Sequence, residues 1–211
     1  MPTSTPPKRL PRAVREQQML DAAVRVFSRR GFHSANMDEI AELSGVSKPM
    51  VYAYHGTKEE LFLACLRRES ERLMASIISA ADSSLPPDEQ LWRGIKGFFD
   101  YVGAHRDGWS VLYRQARSLE PFAGELSAMR RAMVQVVAHR LELAVEAHGR
   151  PARPEELTSM ALTLVGASES LADWLASHPD ADPAKTATRL MNAVWLGAEQ
   201  LLRGEAWRPQ A

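Results

Sequence analysis

One cysteine, Cys65, stands in 211 residues, so no intramolecular disulfide can staple this chain and no thiolate cluster can bind a metal. That usage suits a reducing cytoplasm, and the residue reads as a small apolar side chain on a helix. No apolar run approaches the roughly eighteen residues a membrane span requires, and the opening stretch MPTSTPPKRLPR lacks the apolar middle of a secretory signal, so neither a span nor export is expected. Strand-like alternation of apolar and polar residues is missing, as are internal repeats. There is no glycine-rich phosphate loop. His33, His55, His105, His139, His148 and His178 are scattered, none at a ligand spacing such as His-x-x-x-His. No catalytic residue, metal or cofactor is therefore expected. Net charge is absent too, with 26 basic and 26 acidic residues, but a sum hides patches. Between Lys8 and Arg30, seven basic residues face only Glu16 and Asp21.

What is present is helical periodicity punctuated by caps. Residues 1–11 carry four prolines and should form a flexible basic arm. Over 12–30, Met19, Leu20, Ala23, Val24 and Phe27 recur at helical spacing, and Gly31 follows as a C-cap signal. Asn36 and Glu39 form a capping box for a short helix with inner face Met37, Ile40, Ala41 and Leu43, ended by Gly45. Ser47 can cap a third helix over 48–54, where Pro49 is tolerated because first-turn amides have no intrahelical partner to lose. Gly56 breaks that helix. Thr57 and Glu60 form a second capping box, opening a long helix with Leu61, Phe62, Leu66, Leu73, Ile77 and Ile78. Pro86 and Pro87 mark an internal boundary, after which helical segments follow over 88–104, 107–118, 122–148, 154–177 and 183–203.

The reading is all-α. It comprises an N-terminal three-helix domain over 12–72, with a helix-turn-helix over about 35–54, joined to a C-terminal helical bundle over 73–205, then a tail over 206–211. In SANMDEIAELSGVSKPMVYAYH, Ile40, Ala41, Leu43, Val46 and Val51 can pack two short helices at a steep angle across a glycine turn. That geometry pushes the start of the second helix outward, where its first residues reach base edges in a major groove.

The flanking runs LDAAVRVFSRRGF, MDEIAELSGVS and VYAYHGTKEEL resemble the N-terminal domain of the TetR (tetracycline-repressor) family over about residues 12–72. The resemblance implies a homodimeric DNA-binding regulator whose body takes a small effector. It implies DNA contacts from Asn36, Ser47, Lys48, Pro49, Met50, Tyr52, Tyr54 and Lys58. Asn36 suits a phosphate oxygen, Lys48 a guanine edge or a phosphate, and Met50 a thymine methyl. Tyr52 and Tyr54 can set phenolic hydroxyls on the backbone, and Lys58 can add a phosphate charge. The plain alternatives are that the tyrosines are core aromatics with one wet edge and Lys58 a solvated lysine. Two positions depart from the family pattern: Pro49 stands where Gly is often found and supplies no amide, and His55 replaces the usual Phe.

All five tryptophans fall after residue 90. For the apolar effector pocket that the resemblance implies, the candidates are Trp109, Tyr113, Met133, Glu169, Asp173 and Trp174, set against the plain reading that aromatics and methionines at this spacing are core. Glu169 and Asp173, one turn apart, point either into a polar corner or into solvent. The last two helices, with Leu164, Val165, Gly166, Ala167, Leu171, Leu190, Val194, Trp195, Gly197, Ala198, Leu201 and Leu202, are apolar over more than one buried face requires, so a second copy is expected there. An inverted-repeat double-stranded DNA operator, an unidentified small-molecule effector and no membrane complete the expected partners. A generic basic module binding acidic partners or membrane surfaces would not explain the capped short helix pair.

Overall fold

The computed structural model describes residues 11–80, 84–120, 122–147, 149, 151 and 153–203, with the side chains of Leu201 and Leu202 excepted. Residues 1–10 of the arm expected over 1–11, the tail expected over 206–211, and His148 lie outside the described residues. Every element described is helical, and the chain divides into two compact units between Arg68 and Glu69.

The first unit is built on α1 (Arg12–Ser34), α2 (Met37–Ser44), α3 (Lys48–His55) and the opening turns of α4 (Lys58–Ala80). Gly31 lies inside the span of α1 with φ 77° and ψ 162°, so the continuous helix stops there, as its C-cap signal indicates, and a separate turn carries Phe32. That turn returns the chain to the core. Phe27 and Phe62 are both fully buried and meet edge to face at 4.9 Å, with Phe32 5.2 Å from Phe62. Each such ring contributes about 1.5–3 kcal/mol by burial. Met19, Ala23, Ile40, Val51, Leu61, Cys65 and Leu66 complete this core. Arg68, which periodicity did not single out, is 8% exposed and reaches back to the Asp21 carboxylate at 2.8 Å and the Gln17 carbonyl at 3.3 Å.

Capping explains where the short helices begin and end, with two corrections. Asn36 does cap α2, but its Oδ1 accepts from the Asp38 amide at 2.9 Å, and Glu39 turns instead to Arg30 at 3.5 Å, so the reciprocal half of the expected box is absent among the described contacts. Ser47 occupies the N-cap of α3 with no side-chain cap hydrogen bond; only its carbonyl is used, by Met50 and Val51. Thr57 and Glu60 form the full reciprocal box, at 2.9 and 3.1 Å. Gly45 adopts φ 67°, and the Val46 amide closes onto the Ala41 carbonyl at 3.0 Å in a Schellman-type turn.

The second unit holds the rest of α4, α5 (Pro87–Ala104), α6 (Arg106–Trp109), a π-helical turn (Ser110–Gln115), a 3-10 turn (Ala116–Ser118), α7 (Phe122–Ala147), α8 (Pro154–Ser177) and α9 (Pro183–Arg203). Its α9 packs mainly on α5, and α8 on α7. Phe98, Phe99, Val102, Trp109, Leu175 and Leu190 form the centre. The single helix expected over 107–118 is thus three short pieces of different pitch, a change of winding that periodicity cannot register because the same apolar faces persist. Ile78, one of the apolar residues of α4, is 44% exposed. The end of α8 is closed by Arg106, whose guanidinium donates to the carbonyls of Leu175, His178 and Pro179.

Candidate DNA-reading surface and effector cavity

Burial on α2 and α3 sets what faces outward. Ile40 and Val51 are fully buried and Ala41 nearly so, while Val46 is half-buried. Leu43, expected in the packing seam, is 52% exposed; the turn at Gly45 carries the chain away before that position is covered. Because Val51 anchors the rear of α3, its first turn presents Ser47, Lys48 and Pro49 to solvent, with Met50 half-buried. Asn36 is exposed at the head of α2, its side-chain carbonyl already engaged in the cap.

Lys48 is not a loose charge. Its Nζ donates to Asp38 Oδ2 at 3.0 Å across the two helices, and that hydrogen bond, followed by the attraction of the same carboxylate, raises the lysine's pKa. Tyr52 is 40% exposed, whereas Tyr54 is half-buried with the Arg12 guanidinium 5.1 Å above its ring. Lys58 is largely committed within the unit: its Nζ donates to the His33 carbonyl at 3.1 Å and the Ala35 carbonyl at 3.4 Å, and lies 4.9 Å from the Phe32 ring centre. It ties the post-Gly31 turn to α4, leaving one N–H for any further acceptor. His55, 8% exposed, is held below the usual imidazole range by burial, which the Glu16 carboxylate partly offsets. Its Nε2 has no hydrogen-bond partner among the described residues.

The second unit holds a partly open cavity of about 180 Å³ lined from α4, α5, the π-helical turn, α7, α8 and α9. Leu73, Ile77, Ile95, Phe98, Leu112 and Leu164 form much of an apolar wall. Three of the six expected effector residues, Tyr113, Met133 and Glu169, line it. Trp109 lies behind, fully buried, stacked on Tyr113 at 3.9 Å and donating its indole N–H to Asp173 at 3.2 Å. Trp174 does not join them: it is 40% exposed and stacks on His178 at 4.7 Å, because it stands two residues, over half a helical turn, from buried Ala172. Glu169, with a side chain 12% exposed, accepts from the Tyr113 hydroxyl and from Arg130 Nε, at 2.9 and 3.1 Å to its two oxygens. Burial first, then the Glu169 hydrogen bond, pushes the Tyr113 phenol far up, so it stays a donor. Arg130 was not legible beforehand, since one of two adjacent arginines on a mixed helix carries no distinguishing signal.

A second buried carboxylate carries no distinguishing sequence signal either. Glu69, 1% exposed, accepts from the Tyr101 hydroxyl at 2.6 Å and pairs with Arg72 at 3.2 Å; a side chain at Gly108 would meet it at 2.5 Å. Among the described residues no group of three His, Cys, Asp or Glu could hold a metal ion, and no helix is long and apolar enough to cross a membrane.

A capped helix pair with an outward-facing second helix, followed by a separate helical unit, defines the class of helix-turn-helix DNA-binding regulators. Residues 19–65 match the family profile described as bacterial regulatory proteins, tetR family, and residues 87–197 match the tetracyclin repressor-like C-terminal domain. This chain belongs to the TetR family, whose members are transcriptional regulators and not enzymes. A TetR-like transcriptional regulator from Rhodococcus sp. RHA1 has a solved structure that is 44% identical, with a TM-score of 0.76 over 90% of this chain and 99% of that one. The transcriptional activator FasR of Mycolicibacterium smegmatis is 37% identical over 113 residues, covering 54% of this chain and 52% of that protein. The regulator HbdR of an Aromatoleum species is 27% identical over 105 residues, 50% of this chain and 46% of its own. The chain thus spans about half the length of these two curated relatives.

Proposed function

We propose that this protein is a cytoplasmic repressor that binds an inverted-repeat DNA operator as a homodimer and is released by a small, largely apolar ligand. One observation carries the DNA-reading half: the start of α3 is exposed at Ser47, Lys48 and Pro49 while Val51 behind them is fully buried, the arrangement a recognition helix needs. Lys48 and Met50 are assigned to base edges, and Asn36, Ser47 and Tyr52 to backbone positioning; Lys58 serves mainly to hold the domain together. The sensing half is supported by the apolar cavity and the Tyr113, Arg130 and Glu169 cluster on its wall.

Coupling is assigned to α4. Leu61 and Phe62 near its start are core residues of the first unit, and Leu73 and Ile77 on the same helix line the cavity of the second. A ligand favouring one position of those side chains displaces a helix that both units share, and release follows only if its affinity differs between the two states. Dimerisation is assigned to α8 and α9. Leu164, Val165, Leu190 and Ala198 are buried within the protomer, so the face left for a partner holds Leu162, 44% exposed, and Leu196, 67% exposed.

Fluorescence anisotropy of labelled DNA from immediately upstream of the protein's own coding sequence, against a shuffled duplex across a salt series, tests the reading. Sequence-dependent binding weakened by Lys48→Ala and Tyr52→Ala supports it. Equal weak binding to both duplexes, followed by a random-sequence selection that enriches no inverted repeat, overturns it. Activation is the second reading, favoured by the word activator in the name of the FasR relative; a transcription assay on the selected operator separates the two signs.

A further inference from the structure

We infer that the cavity takes an uncharged, mostly apolar molecule bearing one hydrogen-bond acceptor of the carbonyl or ester type, received by the Nη edge of Arg130. The inference rests on the reading of this cavity as the effector site and specifies its chemistry.

Besides Ser70, Gln90 and Arg140, the polar residues of the wall are Tyr113, Arg130, Ser168 and Glu169, and much of the hydrogen-bonding capacity of these four is spent internally. Glu169 takes the Tyr113 hydroxyl and both contacts from Arg130 Nε. The Ser168 hydroxyl donates to the Leu164 carbonyl at 2.7 Å. Ser168 Oγ and Glu169 Oε2 keep some accepting capacity, but Nη1 and Nη2 of Arg130 donate to no group among the described residues, and a guanidinium accepts nothing. A ligand placed there must bring an acceptor.

Charge decides what kind of acceptor. Glu169 and Arg130 cancel each other, and the next shell holds one of each sign, Asp173 under the Trp109 indole and exposed Arg117, whose field reaches Tyr113. A carboxylate entering the cavity would leave one unbalanced negative charge beside Glu169 in apolar surroundings, which is costly. An ammonium group would set a second positive charge beside the Arg130 guanidinium and offer no acceptor to its Nη edge. A carbonyl adds an acceptor and no charge. Arg140, which also lines the cavity, is exposed and stands ten residues further along α7, about 15 Å of helix rise away, so it does not belong to this cluster. The lining runs from Arg130 to Ala144 along α7, about 20 Å of helix rise, so the apolar remainder of an extended chain fits along the wall.

The test uses the full chain and three probes of equal chain length, 2-octanone, octanoate and octylammonium, titrated calorimetrically at neutral pH. The ketone is expected to bind about tenfold or more tightly than either ion. The double variant Arg130→Met with Glu169→Gln, which keeps the cluster uncharged and is checked for folding by its thermal transition, should lose about tenfold for the ketone. Tighter binding of octanoate, no ketone binding at millimolar concentration, or unchanged ketone affinity in the folded double variant would each overturn the inference. The ranking on the unaltered chain decides alone if the double variant does not fold. Ligand chemistry and effector role fail separately: a ketone that binds as expected but leaves operator affinity unchanged removes the effector role and keeps the ligand chemistry. Release of DNA by another compound, with no ketone binding, does the reverse.

Discussion

Lys48 and Asp38 form a 3.0 Å ion pair that bridges the two helices of the reading head, with both side chains about half exposed. Asp38 is tied in turn to the cap, its amide donating to Asn36. The most exposed cation of the motif is therefore aimed by a carboxylate that itself faces any approaching phosphate.

Removing the carboxylate should loosen this aim while removing a repulsion. Asp38→Asn is expected to tighten binding to an unrelated duplex about twofold to fivefold, in line with the small worth of an exposed pair, and to narrow the ratio between selected operator and unrelated DNA. Lys48→Ala should cost about 1–3 kcal/mol on the operator if the lysine reads a base, and much less on unrelated DNA. Anisotropy titrations of the two variants on both duplexes measure these ratios. An Asp38→Asn protein with an unaltered ratio would remove the positioning role.

Much of this surface was legible in the sequence because caps and turns are local chemistry. Thr57 with Glu60 and Gly45 act where their spacing placed them, since each needs only a neighbouring amide or a permitted φ. The failures are tertiary. Ser47 was expected to cap and leaves its hydroxyl out of the cap; Leu43 was expected inside and is exposed; Trp174 was expected at the cavity and lies outside it. In each case helical spacing gives a face but not what covers that face. Arg130 and Glu69 show the converse, ordinary charged residues whose role exists only once α8 or α5 supplies a partner.

Lys58 distinguishes a phosphate ligand from a structural clamp. With Nζ on the His33 and Ala35 carbonyls, Lys58→Met should lower stability by about 1–2 kcal/mol, or several degrees in Tm for a chain of this size. Operator affinity at fixed salt should change less than for Lys48→Ala. A variant with normal Tm and strongly weakened DNA binding would return Lys58 to the phosphate backbone.

The exposed apolar face of α9 gives an oligomer test that does not depend on DNA. Leu196, 67% exposed, should tolerate a charge in the isolated protomer but not at the centre of a two-fold interface. Sedimentation of Leu196→Glu is expected to show a shift from dimer to monomer with helicity retained. A variant that sediments as the parent does would place the interface elsewhere.

His55 supplies a pH dependence whose sign follows from its burial. Its pKa in the folded chain lies below the ordinary value because burial disfavours the imidazolium, and Glu16 restores only part. Above the unfolded value, near 6.5, neither state binds a proton at this residue and it contributes no slope. As pH falls through that value the unfolded chain takes up a proton that the folded chain resists, so stability declines, and the decline ends once pH is below the folded value as well. His55→Phe, which restores the residue usual in the family at this position and removes the unpartnered Nε2, should abolish that component. The difference in Tm between variant and parent should then grow as pH is lowered from 8 towards 5. Parallel Tm curves for the two proteins across that range would mean that the imidazole is hydrated or repositioned when it ionises, and that the buried ring is not what limits stability in mild acid.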